Sequence, residues 1–184
     1  MQKFVKKLLV GILAGTMLLG SVSTAYAANS PATAPKTETN SGATAEKTSS
    51  GITPTVNTSK KGFARITEIA KTSKTTVTVP KAVTVNGVSY TVTIIGAKAF
   101  DNCDKAKTVS LPATITTIGS KAFTGAKALK TIKINSTKVT VSKTAFKGVN
   151  TKKMTIQLPA KATKAQKKAL KKAFKAAGFK GTFK

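Results

Sequence analysis

Apolar and polar positions recur along this chain at a fixed distance. Three similar six-residue segments, each ending in phenylalanine, start 23 residues apart and occupy residues 95–100, 118–123 and 141–146. A fixed period in the twenties indicates one supersecondary unit that is stacked on itself. The chain is therefore predicted to form a solenoid, which presents an extended surface, rather than a compact catalytic fold.

Short strands are predicted inside each repeat. Val109-Ser110-Leu111 and Ile132-Lys133-Ile134 alternate apolar and polar residues, which is typical of a strand with one buried side. Ile156-Gln157-Leu158 continues the series one residue late. Stacked copies would place these strands side by side and parallel. The predicted structural core beside them comprises Phe100, Cys103, Phe123 and Phe146.

A hairpin is predicted before the repeats. Residues 83–92 read as two strands joined by Asn86-Gly87, a dipeptide that supplies the two positive-φ positions of a type I′ turn. A terminal repeat needs a cover because it otherwise exposes an apolar face. The hairpin is therefore predicted to cover the open end of the first repeat.

The N-terminal residues have the three parts of an export signal. Lysines come first, a 13-residue apolar stretch runs from Leu8 to Gly20, and Ala25-Tyr26-Ala27 fits the small-x-small cleavage site. The alternative is a retained membrane anchor, but such a helix reaches only about 20 Å of the roughly 30 Å apolar layer. Residues 1–27 are therefore predicted to be a signal peptide. Residues 28–61, rich in Ser, Thr, Ala and Pro, are predicted to be a disordered linker, with a glycosylated stalk as the alternative.

Composition argues against an enzyme. The chain has 32 basic and 5 acidic residues, a net charge of +27, no histidine, and a single cysteine, Cys103. It therefore lacks the residues for an internal disulfide or a His/Cys metal site. The acids are scattered, whereas paired-carboxylate catalysis needs two of them in one cleft. No catalytic, cofactor-binding or metal-binding residue is predicted, and no cofactor.

The repeat pattern I-G-x-x-A-F-x-x-C-x-x-L-x-x-I-x-I-P resembles the bacterial BspA-like leucine-rich repeat. Residues 95–112 fit it closely, residues 118–134 fit well, and residues 141–159 are degenerate. Ala106 departs from the leucine position, and Ala126 and Val149 depart from the cysteine position. The resemblance implies a secreted or surface-displayed protein, in a family of which some members bind host matrix proteins or other cells. It implies no catalytic residues.

These observations predict an α/β solenoid in residues 62–184. It is a short leucine-rich-repeat array of about three 23-residue repeats with short parallel strands, a β-hairpin cap at its N-terminal end and an α-helical cap at its C-terminal end. The predicted boundaries are 62–94 for the N-terminal strand and hairpin cap, 95–159 for the repeats, and 160–184 for the helical cap.

Two surfaces are candidates for binding. The first is the outward side of the repeat strands, which is polar and lacks aromatic residues, so its affinity is expected to be modest. Its residues are Thr108, Ser110, Thr131, Lys133, Thr155 and Gln157. Cys103 is not a candidate, because alanine and valine fill its slot in the next repeats and free cysteine packs as a small hydrophobe.

The second surface is a lysine-rich helix. Thr163 to Gln166 reads as a capping box, and Gly178 stands where the helix would end. Ala169, Leu170, Ala173, Phe174 and Ala177 are predicted to share its apolar face. The candidate polyanion contacts on the opposite face are Lys164, Lys167, Lys168, Lys171, Lys172 and Lys175.

The sequence allows two roles for this helix: a cap whose lysines are solvated, or an amphipathic helix that lies on a membrane. Its narrow, alanine-rich apolar face favours the cap. In either role, a net charge this high attracts polyanions.

The sequence favours a non-catalytic, exported binding or adhesion protein. Its predicted partner is an extracellular protein or an anionic cell-envelope polymer, with no small-molecule substrate and no specific nucleic acid. The alternative is a cationic protein that acts on membranes or binds polyanions such as extracellular DNA without specificity. The predicted location is secreted or extracellular, with non-covalent, electrostatic retention at the membrane or wall as a further option.

Overall fold

The structure is a computed structural model that describes residues 37–184. The predicted signal peptide, residues 1–27, and the first residues of the predicted linker lie outside the described residues. The elements, in chain order, are β1 (Ala43–Thr44), β2 (Pro54–Thr58), β3 (Phe63–Ile69), β4 (Thr76–Thr78), β5 (Ala82–Val85), β6 (Val88–Ile95), β7 (Thr108–Leu111), β8 (Thr117–Ile118), β9 (Thr131–Ile134), β10 (Thr140–Val141), β11 (Thr155–Gln157), α1 (Lys164–Ala176) and β12 (Thr182–Phe183).

The strands form two sheets that the chain visits in turn. Sheet 1 has the order β1-β2-β3-β6-β8-β10, with β5 paired to β6, and sheet 2 has the order β12-β11-β9-β7-β4. Strands β3, β6, β8 and β10 each pass on to a strand of sheet 2, so each coil adds one strand to each sheet. All pairings within sheet 2 are parallel. The predicted solenoid with short parallel strands is confirmed.

The predicted phenylalanine column runs through the coils. The ring centroids of Phe100 and Phe123 lie 5.2 Å apart, as do those of Phe123 and Phe146, with nearly parallel rings. Phe174 of α1 extends the column at 6.1 Å from Phe146. Offset aromatic packing at this distance adds to the stabilisation that burial supplies. The four predicted core residues, including Cys103, are all buried.

Hydrogen bonds between coils fix the 23-residue register. The amide of Phe100 donates to the carbonyl of Ala122, and the amide of Gly119 donates to that of Ile95, at 3.0 and 2.8 Å. The coils approach so closely that a Cβ on Gly125 would lie 1.8 Å from the carbonyl oxygen of Asp101. A glycine is required there because a neighbouring backbone occupies the place of a side chain.

The hairpin forms as predicted, but its predicted position as a cap is wrong. Asn86 and Gly87 both have positive φ angles, 51° and 74°, and join β5 to β6. Strand β6 also pairs in parallel with β3 and β8, so it lies inside sheet 1. The strands beyond β3 at that end are β2 and β1, both antiparallel to their neighbours. Strand β3 thus belongs to a coil that precedes the first predicted repeat, and this coil covers β6 where the hairpin was predicted to be the cover.

The predicted disordered linker is also wrong from residue 37 onward. Residues 43–58 contribute β1 and β2, and Ala45, Ile52 and Val56 are buried. Threonine is common in strands because its branched side chain packs well on a pleated surface. Its hydroxyl is also satisfied here: the Thr58 Oγ1 donates to the carbonyl of Glu38 at 2.7 Å. Pro54 is tolerated as the first residue of its strand.

The predicted helix is present with its predicted ends. The Thr163 Oγ1 accepts a hydrogen bond from the Gln166 amide, and the Gln166 Oε1 accepts one from the Thr163 amide, which completes the capping box. Gly178 follows the helix with a φ of 89°. The chain then enters β12, which pairs with β11. Helix α1 is thus the connecting arm of the last coil.

The buried face of α1 is narrower than predicted. Leu170, Phe174 and Ala177 are buried, as expected for positions i, i+4 and i+7. Ala169 is exposed, contrary to the prediction, and Ala173 is half-buried. The last coil contacts only one line of the helix, so residues beside that line face outward.

Candidate binding surfaces

The outward side of sheet 2 presents two rows of polar residues. One row consists of Thr76, Thr108, Thr131, Thr155 and Thr182, aligned by the strand register. The second consists of Thr78, Ser110, Lys133 and Gln157. The structure therefore brings all six residues of the first predicted surface together. It also extends that surface by one strand on each side.

This surface offers few protruding groups. Of the six predicted residues, only Lys133 is exposed, and the other five are half-buried between their neighbours. The rows contain no aromatic side chain and no arginine, the residue types on which strong protein interfaces depend. Binding by this side of sheet 2 stays a prediction.

The six lysines of the second predicted surface lie along one groove. This groove on the outer side of α1 has a volume of about 810 Å³ and is lined by Lys164, Lys167, Lys168, Lys171, Lys172, Lys175 and Ala176. The lysines form two rows with a spacing of four residues, which is about 6 Å along a helix axis. All are exposed except Lys167, which is half-buried. The Lys171 Nζ lies 6.0 Å from the ring centroid of Phe183.

Cys103 is an inert core residue. Its side chain is fully buried, and the amide of Cys103 donates to the carbonyl of Phe100 within the turn. Burial, helped by the negative charge of Asp104, raises the pKa of the Cys103 thiol from 9.0 to about 11. The thiolate is the reactive form of cysteine, so this residue is unreactive at neutral pH.

Sequence reasoning missed a third surface, on the outward side of sheet 1. Phe63 and Arg65 are two residues apart on β3 and both are exposed. Among residues 37–184, Phe63 is the large hydrophobic residue that is exposed, with a relative accessible surface of 48%. A signal was available, because Phe63-Ala64-Arg65-Ile66 alternates in the manner of a strand and Arg65 is the single arginine.

Residues 37–184 contain no group of three or more side chains suited to hold a metal ion. They also contain no helix with the length and apolar content that crossing a membrane requires.

The sequence profile of the BspA type leucine-rich repeat region matches residues 70–179, with six copies of the repeat. The chain belongs to this family. The match begins before Ile95 and ends after Pro159, and its six copies exceed the three repeats predicted from the sequence. The comparison of the sequence with curated proteins gives no match.

Solved structures similar to this chain are bacterial leucine-rich repeat proteins. One, from Bacteroides capillosus, is 23% identical with a TM-score of 0.49, over 70% of this chain and 86% of that one. A leucine-rich cell surface protein from Faecalibacterium prausnitzii is 22% identical with a TM-score of 0.44, over 70% and 38%. A third, from Bacteroides ovatus, is 26% identical with a TM-score of 0.41, over 60% and 35%. This chain thus spans little more than a third of the latter two.

Proposed function

We propose that this protein is a non-catalytic, exported repeat protein that binds an anionic polymer of the cell envelope through the lysines of α1. The observation that carries the proposal is the groove on α1, which six lysines line without any acidic residue. From residue 105 to residue 184 the chain has 20 lysines and no aspartate or glutamate, so no acidic side chain of this region competes for the groove.

The charge and spacing of the lysines favour an extended polymer with regularly spaced anions, such as a phosphate polymer. An ammonium group acts as a point charge and lacks the fork with which arginine binds a carboxylate or a phosphate through two parallel hydrogen bonds, so a row of lysines responds to charge spacing rather than to the geometry of the anion. The two lysine rows repeat at about 6 Å, so one row can meet successive charges of an extended chain. A linear polymer with regularly spaced phosphodiesters suits such a groove better than a compact anion does.

The packing of α1 argues against the alternative of a membrane-active helix. Leu170 and Phe174 are buried against the last coil, and the Phe174 ring lies 6.1 Å from that of Phe146. An interfacial helix needs its apolar face free to enter the lipid. Releasing this face would uncover the end of the phenylalanine column. The lysine side of α1 is therefore the side that a partner can reach.

Nucleic acid is one polyanion among others for this surface. Base recognition relies on Arg, Asn and Gln in a groove and on stacking against aromatic side chains. Among the described residues, the groove is lined by lysines and one alanine. Any binding of DNA should therefore be independent of its sequence and should weaken steeply with salt.

The test is salt elution from beads coated with a poly(glycerol phosphate) polymer, with double-stranded DNA, or with a carboxylated polysaccharide. We expect retention on the phosphate polymer at about 0.1 M salt and release before about 1 M, where the Debye length is about 3 Å. Charge reversal at Lys167, Lys168, Lys171 and Lys172 should lower the eluting salt concentration clearly.

A matched variant separates the groove from the net charge. Lys127, Lys130, Lys138 and Lys153 are exposed on the repeats, and reversing all four changes the net charge by the same amount. We expect this variant to elute close to the wild type. Equal losses in both variants would show that total charge acts without a site. Retention of the wild type at about 1 M salt would contradict the electrostatic proposal.

A further inference from the structure

We propose that the outward side of sheet 1 holds a second, independent binding site, for an acidic peptide segment of a partner protein. The site is centred on Phe63 and Arg65 and does not involve the lysines of α1. It lies beside a cavity of about 400 Å³, lined by Asn57, Thr58, Ser59, Phe63, Arg65 and Ile94.

The strand register assembles this site from three strands. Arg65 of β3 lies opposite Asn57 of β2 on one side and opposite Ile94 of β6 on the other. Phe63 is two residues from Arg65 along β3, so both side chains point to the same face. The result is an exposed arginine with an exposed phenylalanine two residues away on its own strand and a half-buried isoleucine opposite it on β6.

Arg65 has no acidic partner within the protein. The ion pair formed among residues 37–184 joins Lys105 and Asp104, and all five acids of the chain lie in that range. The guanidinium group therefore has its full charge available beside exposed apolar surface. Arginine and aromatic residues are enriched among the residues that dominate binding energy at protein interfaces.

The polar side chains around Arg65 are already engaged by the fold. The Asn57 Oδ1 accepts a hydrogen bond from the Gly42 amide at 2.8 Å, and the Thr58 Oγ1 donates to the Glu38 carbonyl at 2.7 Å. The Ser59 hydroxyl lies 3.3 Å from the amide and the carbonyl oxygen of Phe63. These bonds hold the rim of the cavity in place. Specific recognition then falls to the Arg65 fork and the two apolar groups.

This combination indicates the chemistry of the partner. The planar guanidinium group pairs with a carboxylate through two parallel hydrogen bonds. Phe63 and Ile94 add apolar surface, and covering that surface with apolar groups makes the free energy of binding more favourable. A segment with an aspartate or glutamate next to an aromatic or aliphatic residue supplies both, whereas a sugar-phosphate polymer brings no apolar side chain.

The test is selection of displayed random peptides on the immobilised full-length protein at about 0.5 M salt, which screens exposed lysines. We expect enriched peptides to carry Asp or Glu within two positions of an aromatic or aliphatic residue. Their affinity should fall at least about tenfold for Phe63→Ser and for Arg65→Lys. It should change less than about twofold for Thr131→Ala and Lys133→Ala, which alter the other sheet.

Four outcomes would overturn this inference. The first is a selection that enriches no such peptides, and the second is equal binding of the peptides to all variants. The third is Phe63-dependent binding to a carboxylated glycan array in place of peptides, which would identify a sugar acid. The fourth is a wild-type dimer that Phe63→Ser dissociates in sedimentation, which would mean that a second copy covers the surface. Arg65→Lys keeps the charge with a side chain that is one atom shorter, so it tests recognition even if Phe63→Ser folds poorly.

Discussion

The two parts of the described chain on either side of Asp104 share one architecture and differ in charge. Residues 37–104 carry eight basic and five acidic residues, a net charge of +3. Residues 105–184 carry 20 lysines and no acid, a net charge of +20. Both parts nevertheless add strands to the same two sheets and residues to the same core.

This difference shows that fold and charge are specified by separate positions. In both parts the inward residues of the strands are apolar and buried or partly buried, apart from Thr58, and the lysines lie at exposed or half-buried positions. Like charges on one surface repel and lower stability. The net charge of residues 105–184 is therefore expected to oppose folding rather than to favour it, as the proposed binding role of the lysines would allow.

The largest effect is expected from the shared core. Phe123 lies between Phe100 of the first part and Phe146 of the second, at 5.2 Å from each ring. Phe123→Ala should lower the free energy of unfolding by about 3–5 kcal/mol. That loss is comparable with the whole stability of a small domain, about 5–15 kcal/mol. Urea unfolding followed by circular dichroism measures it.

Thr131→Ala is the control for this core substitution. Thr131 lies on the outward side of β9 and is half-buried. Its loss should change the free energy of unfolding by less than about 0.5 kcal/mol. Similar urea midpoints for the two variants would show that the column does not unite the two parts.

Sequence reasoning succeeded where side chains repeat in register and failed where pairing partners are distant. The phenylalanine column and the capping box at Thr163 were predicted because a period or a local hydrogen bond reveals them. The position of β6 inside sheet 1 could not be predicted, because its neighbours β3 and β8 belong to other coils. The strands in residues 43–58 do not follow from composition, because composition does not show that threonine hydroxyls bond to the backbone, as the Thr58 Oγ1 does to the Glu38 carbonyl.

The candidate surfaces also differ in whether a local sequence pattern reveals them. The lysines of α1 were found because a helix places residues four apart on one side. The site at Phe63 and Arg65 also needs Asn57 and Ile94, which lie on neighbouring strands. No local pattern links positions 57, 65 and 94.

A second effect should appear at Cys103, in the part of the chain that contains the acids. The pKa of its thiol is raised from 9.0 to about 11, so the folded state holds the proton more tightly than the unfolded state. The resulting stabilisation is complete below pH 9 and is lost as the pH rises toward 11. Two pKa units correspond to about 2–3 kcal/mol.

The measurement is urea unfolding of the wild type and of Cys103→Ala from pH 8 to pH 11. Alanine already fills the equivalent slot as Ala126, so the variant should fold. Lysine titration is common to both proteins and cancels in the difference between them. The wild type should lose about 2–3 kcal/mol more than the variant over this range. Parallel pH profiles would mean that Cys103 ionises freely in the folded protein.

The smallest effect tests the separation of charge from fold most directly. Lys168 is exposed on α1, four residues from Lys164 and Lys172 and three residues from Lys171, so it has three like-charge neighbours. Lys168→Glu turns these into attractive pairs and should raise the free energy of unfolding by about 0.5–1 kcal/mol at low salt. The same variant should elute from phosphate-polymer beads at lower salt than the wild type.

Lys168→Gln is the matched control, since it removes the repulsion without adding an attraction. It should give about half of the stabilisation and a smaller loss of binding. Stability and binding would then move in opposite directions at one position, as expected if these lysines are retained for a partner at a cost to the fold. A fall in both quantities for Lys168→Glu would mean instead that Lys168 supports the last coil, and the two parts of the chain would then differ in how they fold as well as in charge.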